Sequence, residues 1–567
     1  MTTDRRTSGG SQLWRGAAWL GGAALLSKLI GTLQKIPLQN LAGDRVFGLY
    51  SAVYSLAVMW MTLASAGVPV AVSVLVAERT AAGDDDGARR VLRWSMGLLS
   101  ATGLVAFVLL QWGANLFAGW MGVPEAADAI RTSSLALLFA PMTAAMRGYS
   151  QGRMNMLLPA VSQLIEQSAR VAFMLIMLFW SLEGFWSAGA TAAAVHGGLA
   201  AGASAGLVAM LWMNRGGERA AASAVSGLRG RESRAALVKR IAAVALPVAA
   251  GSVVAPLFGL IDAFTVPRLL QAAGATSAEA MVSFGEYNRG IALLQLVVMA
   301  AGGASAAIVP ALTAARTRGD AAGQSEQAAF AMRLAWWFGA AASVGLALLA
   351  EPVNVALFAD GRGTLAMALL AFAALGGTLQ AASAALLQGL GDLRSPALHL
   401  AAAILLKAAL NAALAPAFGI AGAAVAAVAA YAAAAALNAR ALRRRFARAP
   451  GRAGAGIAWR SGLALAAMAA AVAPLRLALE ALAAGLPERL AALAAALPCI
   501  AVGALVYAAA LIALGALGPR EWRALPGLGR GSAGDRWLSR LRPGAARRET
   551  DPARADDNAT FNHTPEG

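Results

Sequence analysis

The chain alternates long apolar runs with short polar segments from about residue 14 to about residue 518. Most runs reach about 20 residues, the length that an α-helix needs to cross about 30 Å of hydrocarbon. The short amphipathic stripes of soluble helical proteins do not dominate this pattern. The sequence therefore predicts an all-α polytopic membrane protein with fourteen transmembrane helices. The predicted spans are residues 14–36, 48–77, 91–113, 129–150, 157–180, 187–213, 240–263, 288–312, 331–350, 364–388, 396–416, 419–439, 457–480 and 494–518.

Composition agrees with this pattern and gives the predicted spans a direction. Of the 567 residues, 59% are hydrophobic and 13% are charged, and the mean hydropathy is +0.62. Most of the 47 Lys and Arg residues fall in the two tails and in every second loop. Because basic residues stay on the cytoplasmic side, we expect a multi-pass membrane protein with both termini in the cytoplasm. This topology accounts for the net charge of +18, so no nucleic-acid partner is expected.

The sequence repeats itself at a constant offset, which equals the separation along the chain between Phe47 and Phe284. The repeated unit contains six predicted spans, an even number, so both copies enter the membrane from the same side. We therefore expect two six-helix lobes related by a pseudo-twofold axis along the membrane normal. The matching motifs are Phe47-Gly48-x-Tyr50 with Phe284-Gly285-x-Tyr287, Arg79-Thr80 with Arg316-Thr317, Gln151-Gly152 with Gln388-Gly389, and Pro159-Ala160 with Pro396-Ala397.

The repeat predicts how the chain is divided. Two lobes already enclose a complete cavity, so a monomer is the default expectation. The single cysteine, Cys499, lies in an apolar run and indicates packing, and no cofactor or metal is expected. The predicted regions are an N-lobe at 1–213, a basic cytoplasmic linker at 214–240, a C-lobe at 241–440, two additional spans at 441–518 and a disordered cytoplasmic tail at 519–567.

Ionisable side chains within the predicted spans are the candidate substrate site, because such groups are costly in a membrane unless they face water or a partner. Together they carry a net charge of +3, which favours an anionic cargo, and a diphosphate fits well. Two amides, Gln34 and Asn411, are supporting polar groups. The candidate cations are Lys28, Lys35, Arg170, Arg289 and Lys407, and the candidate carboxylates are Glu166 and Asp262.

Position along each predicted span indicates depth and leaves structural explanations open. Arg170 and its repeat equivalent Lys407 are expected near mid-membrane with Lys28, whereas Lys35, Asp262 and Arg289 are expected toward the outer face. Glu166 and Arg170 are four residues apart and can simply neutralise each other. Lys35 and Arg289 can also extend to the outer interface. Lys28 and Lys407 have no obvious partner on their own helices, which favours a functional role.

Five segments of the chain are informative together. They are LLSKLIGTLQKIPLQNLAG, FGLYSAVYSLAVMWMTLASAGVPVAVSVLVAER, MRGYSQGRMNMLLPAVSQLIEQSARV, LIDAFTVPRLL and FGEYNRG. These segments resemble the MurJ-like lipid II flippases, including the stage V sporulation protein B group, within the multidrug/oligosaccharidyl-lipid/polysaccharide exporter superfamily. Lys28 matches the basic residue of this family's Ser-basic-x-x-Gly pattern in span 1, and Arg289 resembles the basic residue that opens span 8. Where members often carry an arginine two turns into span 1, this chain has Gln34 and Lys35.

The resemblance implies two lobes around a cationic cavity, alternating access, and two extra helices that form a groove for a polyprenyl tail. It also implies that the cargo is lipid II, the undecaprenyl-diphosphate-linked peptidoglycan precursor, and that the protein is a transporter rather than an enzyme. The expected location is then the bacterial cytoplasmic membrane, with the cell-wall synthesis machinery as a candidate partner. A flippase for another lipid-linked polysaccharide or a spore-cortex precursor remains an alternative. A cation-coupled drug antiporter would need unpaired carboxylates in the N-lobe, where Glu166 is the clear candidate. A non-transporting cell-wall scaffold would not need the buried cations.

Overall fold

The computed structural model describes residues 22–23, 25–65, 67–221, 234–306, 309–446, 455–518 and 522, and these residues form helices and no strand. Most of the predicted tail at 519–567 and residues 222–233 of the predicted linker lie outside the described residues. The helices of the first half are α1 (25–33), α2 (Lys35–Ser65), α3 (Val68–Ala81), α4 (Asp85–Met121), α5 (Ala127–Ser134), α6 (Ala140–Gly152), α7 (Leu157–Glu183) and α8 (Ala188–Ala221).

The second half and the additional spans continue the same pattern of long helices joined by short turns. These helices are α9 (Arg234–Ser252), α10 (Val254–Ala272), α11 (Ser277–Ala306), α12 (Val309–Thr317), α13 (Ala321–Leu348), α14 (Ala350–Phe358), α15 (Thr364–Ala371), α16 (Ala373–Gly389), α17 (Arg394–Arg445), α18 (Ala455–Leu482) and α19 (Glu488–Ala513).

Ten helical stretches of the described residues are long and apolar enough to cross a membrane. The chain is therefore an all-α, multi-pass membrane protein, as the apolar runs predict. Two of the ten, Leu25–Ala81 and Arg394–Arg445, contain 57 and 52 residues, far more than one crossing requires. Each covers two predicted spans, whereas the predicted spans at 240–263 and 288–312 fall outside the ten. The count of fourteen stays a prediction.

Single glycines, rather than loops, separate adjacent spans at two places. Gly43 interrupts α2 with φ 78° and ψ 173°, and Gly419 interrupts α17 with φ 58° and ψ −141°. Only glycine adopts a positive φ at little cost, so one residue suffices to change the direction of the chain. The predicted break between residues 36 and 48 is thus wrong in extent, because the backbone stays helical on both sides of Gly43.

The two halves contact each other through a reciprocal pair of glycines. A Cβ on Gly48 would lie 2.1 Å from the carbonyl oxygen of Met281, and a Cβ on Gly285 would lie 2.1 Å from that of Asp44. Gly48 and Gly285 are repeat equivalents, and so are Asp44 and Met281. The contact of α2 with α11 is therefore the same contact made twice, as a pseudo-twofold relation between the halves requires. Glycine allows the two backbones this close approach.

A similar capped turn precedes α4 in the first half and α13 in the second half. Asp84 caps α4 by accepting a hydrogen bond from the Gly87 N–H at 2.7 Å, and Asp320 caps α13 in the same way from Gly323 at 2.8 Å. Each cap follows a glycine with a left-handed backbone, Gly83 with φ 72° in the first half. An acidic N-cap satisfies a free helical N–H and favours the positive end of the helix dipole. The repeat thus extends to local backbone geometry.

Candidate functional site

A cavity of about 140 Å³ lies between the two halves of the protein. Helix α2 of the first half forms one wall, and α10, α11 and α17 of the second half form the others. Its charged lining residues are Lys35, Asp262 and Lys407. Uncharged polar groups surround them, so we call this space the central cavity. Those polar lining residues are Ser51, Tyr54, Ser55, Asn288, Gln295 and Tyr431.

Lys35 is the lining cation that no carboxylate neutralises among the residues the structure describes. Its side chain is buried, and its ammonium donates a hydrogen bond of 3.4 Å to Gln295 Oε1. The same ammonium lies 6.0 Å from the centre of the Tyr54 ring. These contacts are weak for a buried cation, because a distance of 3.4 Å is long for a hydrogen bond. Lys35 therefore brings an uncompensated positive charge into the central cavity.

Lys407 faces the same cavity but is held by a carboxylate. Its ammonium lies 2.6 Å from Asp262 Oδ2 and donates to the Phe258 carbonyl oxygen at 3.0 Å. Asp262 also accepts hydrogen bonds from the Tyr287 hydroxyl at 2.9 Å and from Asn411 at 3.1 Å. All four side chains are buried, and the pair of Lys407 and Asp262 is hydrogen-bonded and electrically neutral.

This network adds what the sequence did not show. The Asp262 carboxylate and the Lys407 ammonium are in direct contact, although Asp262 was expected toward the outer face and Lys407 near mid-membrane. Asp262 lies within α10, which continues to Ala272, and the depth of both residues in the membrane stays a prediction. Lys407 lacks a partner on its own helix, as predicted, but it has one on another helix. Its predicted role in binding substrate is untested, and in this conformation its charge is already neutralised.

Arg289 lies within α11 and is fully buried, so its side chain does not extend to a membrane interface, and its position toward the outer face stays a prediction. Its guanidinium binds both oxygens of Asp44, at 2.9 and 2.5 Å, and both oxygens of Asp360, at 2.7 and 3.1 Å. Asp44 belongs to α2 of the first half, and Asp360 belongs to the loop between α14 and α15. We call the group of Arg289, Asp44 and Asp360 the outer closure, following the predicted orientation of that loop.

Electrostatics in the exposed part of the outer closure favour the ionised carboxylate. Burial alone would raise the pKa of Asp360, but hydrogen bonds from Arg289 and from the Arg362 N–H outweigh burial and lower the pKa below its ordinary value. Asp44 and Asp360 were not among the candidate site residues of the sequence analysis. These two carboxylates neutralise Arg289, so the predicted net charge of +3 is not all available to bind a cargo.

Glu166 forms ion pairs with two arginines, whereas the sequence predicted one. The expected pair with Arg170 is present at 3.5 Å, and Arg147 of α6 approaches more closely, at 2.7 Å. Arg147 also donates to the Ser162 hydroxyl at 2.9 Å. We call Arg147, Glu166 and Arg170 the N-lobe triad, which carries a net positive charge. The sequence analysis missed Arg147, although its position within the predicted span 129–150 was a usable signal.

The remaining predicted site residues lie outside the lining of the central cavity. Lys28 on α1 is exposed and has no ion pair with any described residue. Gln34 is buried and donates a hydrogen bond of 3.2 Å to the Tyr50 hydroxyl. Asn411 binds Asp262 and also donates to Thr265 at 3.0 Å. The structure thus brings Lys35, Asp262 and Lys407 together and leaves Lys28 apart from them.

A second contact between the halves lies on the opposite, predicted inner face. Glu78 of α3 forms an ion pair with Arg240 of α9. Near it, a Cβ on Gly67 would lie 2.4 Å from the carbonyl oxygen of Ala245, so α3 and α9 are in close contact. Gly67 has φ 72° and separates α2 from α3, where an unbroken span was predicted. The central cavity therefore lies between two contacts that join the halves.

An apolar groove of about 480 Å³ lies between α13 of the second half and the additional helices α18 and α19. Its walls are almost entirely hydrocarbon, and Val353 of α14 closes one side. Cys499 and Tyr507 of α19 are buried there. Other lining residues are Trp337, Phe338, Leu346, Leu349, Met468, Val472, Ile500 and Leu511. We call this space the apolar groove.

The family model described as polysaccharide biosynthesis protein matches residues 13–316. The chain is 30% identical over 438 residues to the uncharacterized membrane protein YabM of Bacillus subtilis (strain 168), covering 76% of this chain and 80% of that protein. It is 26% identical over 424 residues to the lipid II flippase MurJ of the same organism, covering 71% and 77%.

Two solved structures share the fold. One is an inward-facing multidrug resistance MATE family transporter of the MOP superfamily, with a TM-score of 0.62, 16% identity, and coverage of 74% of this chain and 94% of that one. The other is the lipid II flippase MurJ in an inward closed conformation, with a TM-score of 0.60, 11% identity, and coverage of 87% and 97%. The chain therefore belongs to the polysaccharide biosynthesis protein family.

Proposed function

We propose that this protein is a flippase that moves lipid II, the undecaprenyl-diphosphate-linked peptidoglycan precursor, from the inner to the outer leaflet. The observation that carries the proposal is Lys35, an uncompensated cation in the central cavity between the halves. A buried positive charge in a medium of low dielectric constant attracts an anion strongly. A diphosphate supplies that anion, and the relative MurJ of Bacillus subtilis is named for the same cargo.

The carboxylates in and around the cavity favour an anionic cargo over a cationic drug. Asp262 is paired with Lys407, Glu166 lies between Arg147 and Arg170, and Asp44 is paired with Arg289. An antiporter for organic cations would need a carboxylate that is free to bind its cargo or its coupling ion. Within the described residues, each of these three carboxylates is already compensated, although MATE transporters share the fold.

The apolar groove supports a cargo with a long hydrocarbon chain. A diphosphate lipid has a charged part and an apolar part, and each needs a separate environment. The central cavity suits the charged part, and the apolar groove suits a polyprenyl chain because its walls are hydrocarbon. We infer that helices α18 and α19, which lie outside the repeat, provide this second environment.

Alternating access follows from the two contacts between the halves. The headgroup enters the central cavity from the inner face when the contact of Glu78 with Arg240 opens, and its diphosphate binds Lys35. The outer closure then opens by separating Arg289 from Asp44, and the headgroup leaves toward the outer leaflet. No nucleophile or general base takes part, because no covalent bond changes. Lys28 and Arg170 are proposed to guide the headgroup before and after it binds Lys35.

The test is the exposure of lipid II on the outer leaflet of cells that have been depleted of their own flippase. We expect the intact protein to restore exposure, Lys35→Gln to abolish it, and Lys35→Arg to retain part of it, because arginine keeps the charge. Lys239→Gln, which removes an exposed lysine of α9, is the matched control. If the intact protein reaches the membrane but restores no exposure, lipid II is not the cargo, and another lipid-linked polysaccharide takes its place.

A further inference from the structure

Helix α14 contacts both the apolar groove and the outer closure. It contains nine residues, Ala350–Phe358, and two neighbours along it face different sites. Val353 lines the apolar groove. Asn354 is fully buried and accepts a hydrogen bond of 3.3 Å from Arg289 of the outer closure. A short helix that touches two sites with consecutive residues moves both contacts together when it shifts.

The carboxyl end of α14 is held by side chains from two other parts of the protein. Asn40 of α2 donates to the Leu357 carbonyl oxygen at 2.9 Å. Arg489 of α19 donates to the Ala356 carbonyl oxygen at 2.9 Å and to that of Leu357 at 3.3 Å. Carbonyl groups at a helix end lack partners within the helix, and a cation there also favours the helix dipole. Asn40 of the first half and Arg489 of α19 therefore donate hydrogen bonds to the same carbonyl oxygen, that of Leu357.

The chain beyond α14 leads directly into the outer closure. Ala359 has φ 66°, which ends the helix in a left-handed turn, and Asp360 follows at once. Asn354 then fixes this turn by donating to the Arg362 carbonyl oxygen at 2.7 Å and to Thr364 at 3.0 Å. The position of Asp360 relative to Arg289 thus depends on where α14 ends, and Arg489 helps to set that position.

We propose that α14 couples the apolar groove to the outer closure, with Arg489 and Asn354 as positioning residues. A hydrocarbon chain in the groove lies against α19 and Val353, shifts α14 together with Arg489, and weakens the hold of Arg289 on Asp360. The outer face then opens when the tail of the cargo is in place. This inference rests on the proposed flippase function, and it adds the requirement that the tail is sensed before the headgroup is released.

Hydrogen–deuterium exchange in lipid nanodiscs tests the coupling on the full chain. The amide of Arg362 donates to Asp360 Oδ1, so its exchange reports the opening of this turn. The probe is undecaprenyl phosphate, added to nanodiscs of phosphatidylethanolamine and phosphatidylglycerol. In the unmodified protein we expect the probe to speed exchange across residues 359–364 by about tenfold, the scale of one hydrogen bond to a charged group. Exchange across residues 182–187, an outer turn of the first half whose amides donate within the turn, should not change.

Variants of Arg489 separate coupling from a merely structural role. Arg489→Gln should remove the dependence of exchange on the probe, because it removes the charged donor to the two carbonyl groups. Arg489→Lys should retain it, and Arg131→Gln is the matched control, since Arg131 binds Asp128 and Asn115 away from α14. The inference is overturned if Arg489→Gln keeps the full response, or if the unmodified protein binds the probe in native mass spectrometry without a change in exchange.

The two proposals fail in different ways. If the protein restores lipid II exposure in cells but the Arg489→Gln variant responds to the probe like the unmodified protein, the coupling is wrong and the flippase function stands. If no lipid II exposure is restored but the exchange response depends on Arg489, the cargo is wrong and the coupling stands.

Discussion

Arg170 and Lys407 occupy equivalent positions in the two halves, yet their positive charges are neutralised to different extents. Lys407 is 1% exposed and paired with Asp262, which leaves the C-lobe network neutral. Arg170 shares Glu166 with Arg147, and the exposed fractions of these three side chains are 12%, 15% and 21%. The repeat therefore conserves the backbone but not the charge. The positive charge that remains for a cargo lies on the first half, at Lys35 and the N-lobe triad.

The largest expected effect comes from breaking the buried ion pair of Lys407 and Asp262. Lys407→Met leaves Asp262 buried without its cation, and loss of one partner of a buried pair costs about 3–5 kcal/mol. We expect a large fall in thermal stability of the purified protein, measured by the midpoint of unfolding in detergent. The double variant Asp262→Asn with Lys407→Met should recover much of that loss. Equal stability of the single and double variants would show that the pair does not act as a unit.

A smaller effect should follow from separating the two halves where the repeat makes the same contact twice. Gly48→Ala and Gly285→Ala each place a Cβ 2.1 Å from a carbonyl oxygen of the other half. Overpacking of this kind costs about 1–3 kcal/mol, and the reciprocal geometry predicts equal losses of stability for the two variants. Gly97→Ala is the control, because nothing lies within 4 Å of its added Cβ. Unequal losses would mean that the halves are not equivalent at this contact.

The sequence predicted the helices well because apolar length is a local property. The repeat was also visible, since the motifs around Phe47 and Phe284 share one offset, and the pair of Glu166 and Arg170 lies on one helical turn. The partners of Arg289 were not visible. Asp44 is 245 residues away and Asp360 is 71 residues away, and no local pattern connects positions so distant in the chain.

The same limit explains why the sequence did not reveal the partner of Lys407. Its partner Asp262 is 145 residues away, and depth was inferred from the ends of apolar runs. Helices α9 and α10 extend the predicted span 240–263 to residue 272, which moves Asp262 away from a helix end. Lys35 was identified correctly as a charge in an apolar setting. Lys35 differs from Lys407 because it has no carboxylate partner among the described residues. That difference depends on tertiary contacts that the sequence does not reveal.

A further test of the comparison removes the arginine that corresponds to Lys407. Arg170→Met should cost less stability than Lys407→Met, because Glu166 keeps its closer partner Arg147. The same unfolding measurement applies, with Lys407→Met as the reference. Arg147→Met should cost more than Arg170→Met, since its ion pair is shorter. A loss at Arg170 as large as that at Lys407 would refute the difference between the two halves.

The smallest expected effect concerns acid and the exposed edge of the outer closure. Asp360 has a lowered pKa, so it stabilises the folded state above the ordinary pKa of about 3.9, and that contribution disappears as pH falls through the lowered value. Because the Asp360 side chain is 40% exposed, solvent screening keeps the effect small. The stability difference between the unmodified protein and Asp360→Asn should stay constant from about pH 7 to pH 5 and shrink below about pH 4. A difference that already vanishes near neutral pH would show that Arg289 does not hold this carboxylate ionised, and the outer closure would then depend on Asp44 alone.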